Sequence, residues 1–246
     1  MIGAGAAVLL LGVAILSRET RPVETVPAPL VADPSRVEPP PPPSAAPTDA
    51  AAADADGRRF LDPDRAGTAA VARGDFAAAV TLYEEAVRKN PNDLDSLNNL
   101  GLVLVRLGRA AEAAPYFERA VGLNPTNWGP RFNLANAYAA LNDWGRAIPA
   151  YRAASTALPD DYVTHYNLAL ALHKSGQEEA AVPEFLRAIE LAPGEATFRL
   201  SLGISYERLN KPADASRAYE EYLTLAPSAP DADRVKARIQ ALKAPG

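Results

Sequence analysis

The chain contains no cysteine and few of the residues on which most active sites depend. Without cysteine among its 246 residues, it has no disulfide bond, no thiolate metal site and no cysteine nucleophile. Its two histidines, His165 and His173, fall on one expected helix at a separation of about 12 Å, too far to share a metal ion easily. No nucleophile, base and orienting group can be assembled from the remaining residues. We therefore expect no enzymatic activity, metal site or cofactor.

Long runs of one charge are also missing. The chain has 25 Lys and Arg residues against 30 Asp and Glu residues, a net charge of −5, and both signs are interspersed along the sequence. Proteins that hold phosphate backbones present a basic stripe or patch. Nucleic acid is therefore not an expected partner.

Proline, in contrast, is plentiful and regularly spaced between residues 60 and 229. Five prolines stand 34 residues apart without insertion or deletion, at Pro91, Pro125, Pro159, Pro193 and Pro227. Small residues keep the same spacing at Gly67, Gly101, Ala135, Ala169 and Gly203. So do alanines at Ala79, Ala113, Ala147, Ala181 and Ala215, and aromatics at Tyr83, Phe117, Tyr151, Phe185 and Tyr219. A strict period of this length predicts a solenoid of stacked helical units.

The pattern resembles the tetratricopeptide repeat family. That family has a small residue at position 8 of each 34-residue unit, Ala at 20, an aromatic at 24, Ala at 27 and Pro at 32, and the chain departs from it only at Tyr222, position 27 of the last unit. The resemblance implies an all-α fold, a right-handed α-solenoid of five helix-turn-helix repeats. The repeats are expected at 60–93, 94–127, 128–161, 162–195 and 196–229.

The remaining C-terminal segment, residues 230–246, predicts a capping helix and a tail. Val235, Ile239 and Leu242 form one apolar stripe, and the sequence from Ser228 to Asp231 resembles a capping box at the start of the helix. A solenoid needs such a helix because its last apolar face is otherwise exposed.

A second proline series at position 22 occupies the second helices of the three central repeats: Pro115, Pro149 and Pro183. Proline is tolerated in a first turn, where its missing N–H has no partner to lose. We therefore expect each second helix to begin near position 18.

The N-terminal flank divides into an apolar segment and a proline-rich one. Residues 1–17 carry no charged side chain and fit a transmembrane anchor, although a cleaved secretory signal and a buried helix are alternatives. Residues 18–59 are rich in Pro, Ala and Asp and are expected to form a disordered linker. This order of segments resembles bacterial envelope proteins, so we expect an inner-membrane anchor with the repeats in the periplasm. Arg18 and Arg21, read by the positive-inside rule, favour the opposite orientation.

The first helices of such repeats line the concave side of the solenoid, where a partner is bound. Position 6 carries Asn99, Asn133, Asn167 and Ser201; positions 5, 9 and 12 contribute Asn98, Phe132, Asn136, Tyr166, Leu170, His173, Leu200 and Ile204. The asparagine row resembles that of the O-linked N-acetylglucosamine transferase superhelix, which implies a grip on the main chain of an extended peptide. Two alternatives remain: the asparagines satisfy the ends of neighbouring helices and bind nothing, or neighbouring repeats or the capping helix partly cover the apolar side chains.

These features favour a non-enzymatic scaffold for protein–protein interaction, tethered to a membrane. The scaffold presents a groove to a peptide segment or is an accessory subunit of a membrane complex. An enzyme, or the regulatory domain of one, built on the same fold is the alternative, since a fold does not determine a function.

Overall fold

The computed structural model describes residues 62–244. The predicted anchor at residues 1–17 and the predicted linker at 18–59 lie outside this range. Within it the chain is all-helical, as predicted. The helices are α1 (Pro63–Ala72), α2 (Phe76–Lys89), α3 (Leu94–Arg106), α4 (Ala110–Leu123), α5 (Trp128–Ala140), α6 (Trp144–Ala157), α7 (Tyr162–Lys174), α8 (Glu178–Leu191), α9 (Ala196–Arg208), α10 (Pro212–Leu225) and α11 (Ala232–Lys243). The first ten pair into five antiparallel hairpins that stack in sequence order.

Each hairpin turns on one residue in the left-handed backbone conformation at position 15. Gly74, Gly108 and Gly176 have φ angles of +77°, +74° and +80°, and Asn142 and Asn210 have 57° and 55°. Glycine adopts this conformation without steric cost, and asparagine is among the side chains that tolerate it best. The turn ends the first helix of the hairpin and sends the second helix back alongside it.

Close approach within a hairpin depends on the small residue at position 8. A Cβ atom added to Gly101 would lie 2.6 Å from the ring of Phe117, and one added to Gly67 would lie 2.7 Å from the ring of Tyr83. The aromatic ring at position 24 therefore occupies the space that a larger residue at position 8 would need.

The position-22 prolines lie deeper in their helices than predicted. α4, α6 and α8 each begin at position 17, so Pro115, Pro149 and Pro183 are the sixth residues of their helices and not part of the first turn. Each lacks the N–H that would bond to the carbonyl group four residues earlier. All three prolines are exposed, so water can satisfy those carbonyl groups.

The first helices of the hairpins lie on the inner side of the stack. The first helices α3 and α5 contact each other, as do α7 and α9. Among the described residues, no two second helices make contacts as extensive as these. Helices on the inside of a curve are closer together than those on the outside. The first helices therefore line the concave side.

The apolar core runs through the hairpins, and a smaller second cluster closes its C-terminal end. In that cluster Leu200 and Ile204 of α9 pack with Tyr219 of α10 and with Val235 and Ile239 of α11. α11 therefore caps the solenoid.

Its start differs from the predicted capping box. α11 begins after Asp231, whose side chain accepts a hydrogen bond from the Tyr222 hydroxyl group and makes no capping bond. Of the helices in residues 62–244, none combines the length and the apolar character needed to span a membrane.

Candidate protein-binding surface

The structure divides the twelve predicted groove residues into two groups. Asn98, Asn99, Asn133 and Asn136, in the second and third hairpins, are partly exposed. The other eight are at most 8% exposed: Phe132, Tyr166, Asn167, Leu170, His173, Leu200, Ser201 and Ile204. The expected apolar groove in the C-terminal half is therefore not an open surface. Leu200 and Ile204 lie under α11, and the side chains of α7 meet those of α9.

The asparagines at position 6 bond to the neighbouring repeat. Asn133 Nδ2 donates to Asn98 Oδ1 at 2.9 Å, and Asn99 Nδ2 donates to Asp64 Oδ1 at 3.5 Å. In both pairs a side chain at position 6 bonds to the side chain at position 5 of the preceding hairpin, 35 residues earlier. We call these paired positions the inter-repeat ladder. The ladder gives the asparagines at position 6 a structural role, but their partners are side chains within the preceding first helix and not the helix ends that the sequence suggested.

The ladder continues with different chemistry in the C-terminal half. The hydroxyl groups of Tyr166 and Ser201 are 3.2 Å apart, and both residues are buried. Burial raises the pKa of Tyr166 to about 12, partly offset by the hydrogen bond with Ser201, so its hydroxyl group keeps its proton at neutral pH. Between the third and fourth hairpins, the residue at position 5 is Phe132 and the residue at position 6 is Asn167. The phenylalanine ring has no oxygen atom that could accept a hydrogen bond from the Asn167 amide group.

In the first four hairpins, position 9 alternates between polar and apolar residues because it faces position 24 of the same hairpin. The Tyr151 hydroxyl group donates to Asn136 Oδ1 at 2.6 Å. In the second and fourth hairpins, where position 24 is phenylalanine, position 9 is Leu102 or Leu170. A buried tyrosine hydroxyl group needs a polar partner and a phenylalanine ring does not.

Within the second and third hairpins, part of the concave side remains accessible. It consists of the partly exposed side chains of Asn98, Asn99, Leu102, Asn133 and Asn136, on the adjacent helices α3 and α5. We call it the inner polar surface. Its amide groups both donate and accept hydrogen bonds, and Leu102 adds an aliphatic contact.

His173 belongs to a buried polar cluster and not to an accessible groove. It is 1% exposed, and its Nδ1 atom lies 2.9 Å from Glu178 Oε2 and 3.1 Å from Ser205 Oγ. Arg208 donates to Glu178 Oε1 at 2.9 Å and to the His173 carbonyl oxygen at 3.1 Å. We call these four residues the polar latch. It joins α7 and α8 of the fourth hairpin to α9 of the fifth.

The environment of Glu178 favours its ionised form. Burial alone would raise the pKa of this carboxyl group, but hydrogen bonds from His173, Ser205 and Arg208, together with the charge interaction with His173, lower it below its ordinary value. Glu178 is therefore a carboxylate at neutral pH and can accept hydrogen bonds from both hairpins.

Sequence reasoning missed Glu178, Ser205 and Arg208, although the repeat contains a signal for two of them. Position 17 is Phe76, Ala110 and Trp144 in the first three hairpins and becomes Glu178 in the fourth. Position 10 is Ala or Val in the first four hairpins and becomes Ser205 in the fifth. A polar residue at a position that is otherwise apolar marks a special interface. Within residues 62–244, no group of three or more His, Asp or Glu side chains is arranged to hold a metal ion.

Comparisons with known proteins agree with this architecture. Solved structures that resemble it include a crystal structure of MamA, with a TM-score of 0.65 and 22% identity over 67% of this chain and 90% of that one. MamA from Desulfovibrio magneticus RS-1 has a TM-score of 0.65 and 23% identity over 68% of this chain and 95% of its own. The thermophilic tetratricopeptide repeat protein TTC0263 of Thermus thermophilus has a TM-score of 0.50 and 24% identity over 73% and 96%.

These likenesses show the fold, and no curated protein matches the sequence significantly. The sequence model of the tetratricopeptide repeat matches residues 65–127, 132–196 and 200–243, which is more than half of the chain. The protein therefore belongs to the tetratricopeptide repeat family.

Proposed function

We propose that this protein is a non-enzymatic scaffold that binds an extended segment of another protein on the inner polar surface. The observation that carries the proposal is the contrast between the two halves of the concave side. Positions 6 and 9 are buried by neighbouring elements in the C-terminal half but stay partly exposed on α3 and α5. Amide side chains in such a place suit a peptide main chain, whatever its side chains.

The ladder leaves hydrogen-bonding groups for a ligand. It uses the Nδ2 group of Asn133 and the Oδ1 atom of Asn98, so Asn98 Nδ2 and Asn133 Oδ1 make no further hydrogen bond to the residues that the structure describes. Tyr151 occupies only the Oδ1 atom of Asn136. The surface therefore offers donors on Asn98 and Asn136 and an acceptor on Asn133 to a peptide main chain.

Cross-linking from single cysteines tests this surface, because the natural chain has none. We expect Leu102→Cys, on the inner polar surface, to cross-link to a defined partner in native membranes. Leu186→Cys provides the matched control, since Leu186 is 46% exposed on α8, a second helix. Equal labelling of the same proteins from both positions would contradict the proposed surface.

A second variant separates binding from folding. Leu102→Glu should abolish partner capture, whereas Leu186→Glu should leave it intact, and both variants should keep the circular dichroism spectrum of the wild type. Capture that survives Leu102→Glu would place the partner elsewhere on the molecule.

We further propose that residues 1–17 anchor this scaffold in a bacterial inner membrane and that residues 18–59 hold the repeats away from it, in the periplasm. The support is the uncharged apolar segment followed by a proline-rich one. The repeats then serve as a peptide receptor or as an accessory subunit of a membrane complex. Cell fractionation should place the chain in the membrane fraction, and protease added to spheroplasts should digest the repeats. Digestion only after lysis would overturn the periplasmic location.

A further inference from the structure

The interface between the fourth and fifth hairpins holds half of the buried polar side chains that the structure describes. Eight polar or charged residues in residues 62–244 are buried, and four of them meet here. They are His173, Glu178, Ser201 and Ser205. The second apolar cluster also begins at this interface, since it contains Leu200 and Ile204 of α9 but no residue of α7 or α8.

The two ends of this interface differ in chemistry. At one end the rings of Tyr166 and Phe198 pack with centroids 4.4 Å apart, and Tyr162 lies 5.9 Å from Phe198. At the other end lies the polar latch. Phe198 and Arg208 are ten residues apart on α9, which corresponds to about 15 Å.

The equivalent site at the first interface shows what the polar latch replaces. There the corresponding positions are Val71, Phe76, Val103 and Arg106, and the Arg106 guanidinium group lies 4.8 Å from the centre of the Phe76 ring. At the fourth interface the apolar residues become His173, Glu178 and Ser205. Replacing a buried ion pair by well-packed apolar side chains of similar volume is often neutral or stabilising.

The polar latch is also incompletely satisfied. His173 Nε2 is buried and has no hydrogen-bond partner among the residues that the structure describes. A buried polar atom without a hydrogen-bond partner destabilises the state that buries it. The closed state of this end therefore carries a cost that the apolar interfaces do not.

We propose that the fourth interface is a hinge, at which α9, α10 and α11 move together about the Tyr166–Phe198 ring pair. The angle between the fourth and fifth hairpins increases when the hydrogen bonds of the polar latch break and decreases when they form again. Opening exposes His173 to solvent and lets water reach its Nε2 atom. It also relieves the burial of Glu178, while Tyr166 and Phe198 keep the hairpins in contact. The hinge does not depend on the inner polar surface, which lies on α3 and α5.

Distance measurements between spin labels test the hinge in the full chain. Arg152→Cys on α6 and Ala241→Cys on α11 change exposed residues on either side of it. Ala77→Cys with Arg152→Cys gives a control pair within the first three hairpins. In the Glu178→Gln variant, double electron–electron resonance should show a broader or longer 152–241 distance and an unchanged 77–152 distance.

A triple variant should favour the closed state of the hinge. His173→Val, Glu178→Phe and Ser205→Val together copy the first interface, and this triple variant should give a 152–241 distribution at least as narrow as that of the wild type.

Two outcomes would overturn the hinge. The Glu178→Gln variant could leave the 152–241 distance unchanged. The 152–241 and 77–152 distances could broaden together, which would mean that the polar latch belongs to one cooperative unit that unfolds as a whole.

Discussion

Single residues decide how closely the two helices of each hairpin approach. Gly101 has no room for a methyl group against the Phe117 ring, while Gly122, in α4, has no neighbouring atom within 4 Å of where its Cβ atom would be. The same substitution therefore has opposite consequences at the two sites.

We expect Gly101→Ala to lower the free energy of unfolding by about 1–3 kcal/mol, because the added methyl group overpacks the hairpin. Gly122→Ala, the matched control, should raise it by about 0.5–1 kcal/mol, since alanine loses less backbone entropy in a helix. Urea denaturation measures both values. A stabilising Gly101→Ala substitution would show that the ring of Phe117 moves aside at no cost.

The ionised side chain of Glu178 makes the stability of the fold depend on pH. Its pKa is lowered in the folded chain, so the ionised carboxylate stabilises the fold above the ordinary pKa of a glutamate, about 4.3. This contribution should disappear as the pH falls through the folded pKa. Thermal denaturation between pH 7 and pH 3 should therefore show a smaller loss of stability in Glu178→Gln than in the wild type. Parallel curves for the two proteins would contradict the assignment.

The helices keep their length despite interior prolines. Pro149 is the sixth residue of α6, where the missing N–H leaves the carbonyl group of Gly145 without its helical partner. Exposure of this side of the helix to water limits the cost.

Pro149→Ala should raise the free energy of unfolding by about 1–3 kcal/mol, because the restored hydrogen bond outweighs the entropy that alanine adds to the unfolded chain. Arg152→Ala, on the same exposed side of α6, should change it by less than about 0.5 kcal/mol. Chemical denaturation distinguishes the two. If Pro149→Ala destabilises the chain, the proline has a packing role that its exposure does not reveal.

The whole molecule depends on α11 to close its C-terminal end. Val235 and Ile239 cover Leu200, Ile204 and Tyr219, while the outward side of α11 carries charged and polar residues. This helix takes the place that the first helix of another repeat would occupy.

A chain that ends at residue 229 should therefore have a lower melting temperature and should bind a hydrophobic dye that the complete chain does not bind. Lys236→Ala, on the exposed side of α11, should change neither property. An unchanged melting temperature in the truncated chain would mean that the fifth hairpin is stable without a cap.

The sequence by itself determined the period, the helix-turn-helix units and the packing residues at positions 8 and 24. It could do so because each repeat solves the same local problem with the same residue types. Which concave positions stay accessible was decided only by the tertiary structure, since burial depends on the neighbouring repeat and on α11. Asn133 and Asn167 share position 6, yet one lies on the inner polar surface and the other is 2% exposed. Their contacts come from residues far away in the sequence, and a pattern repeated every 34 residues does not record them.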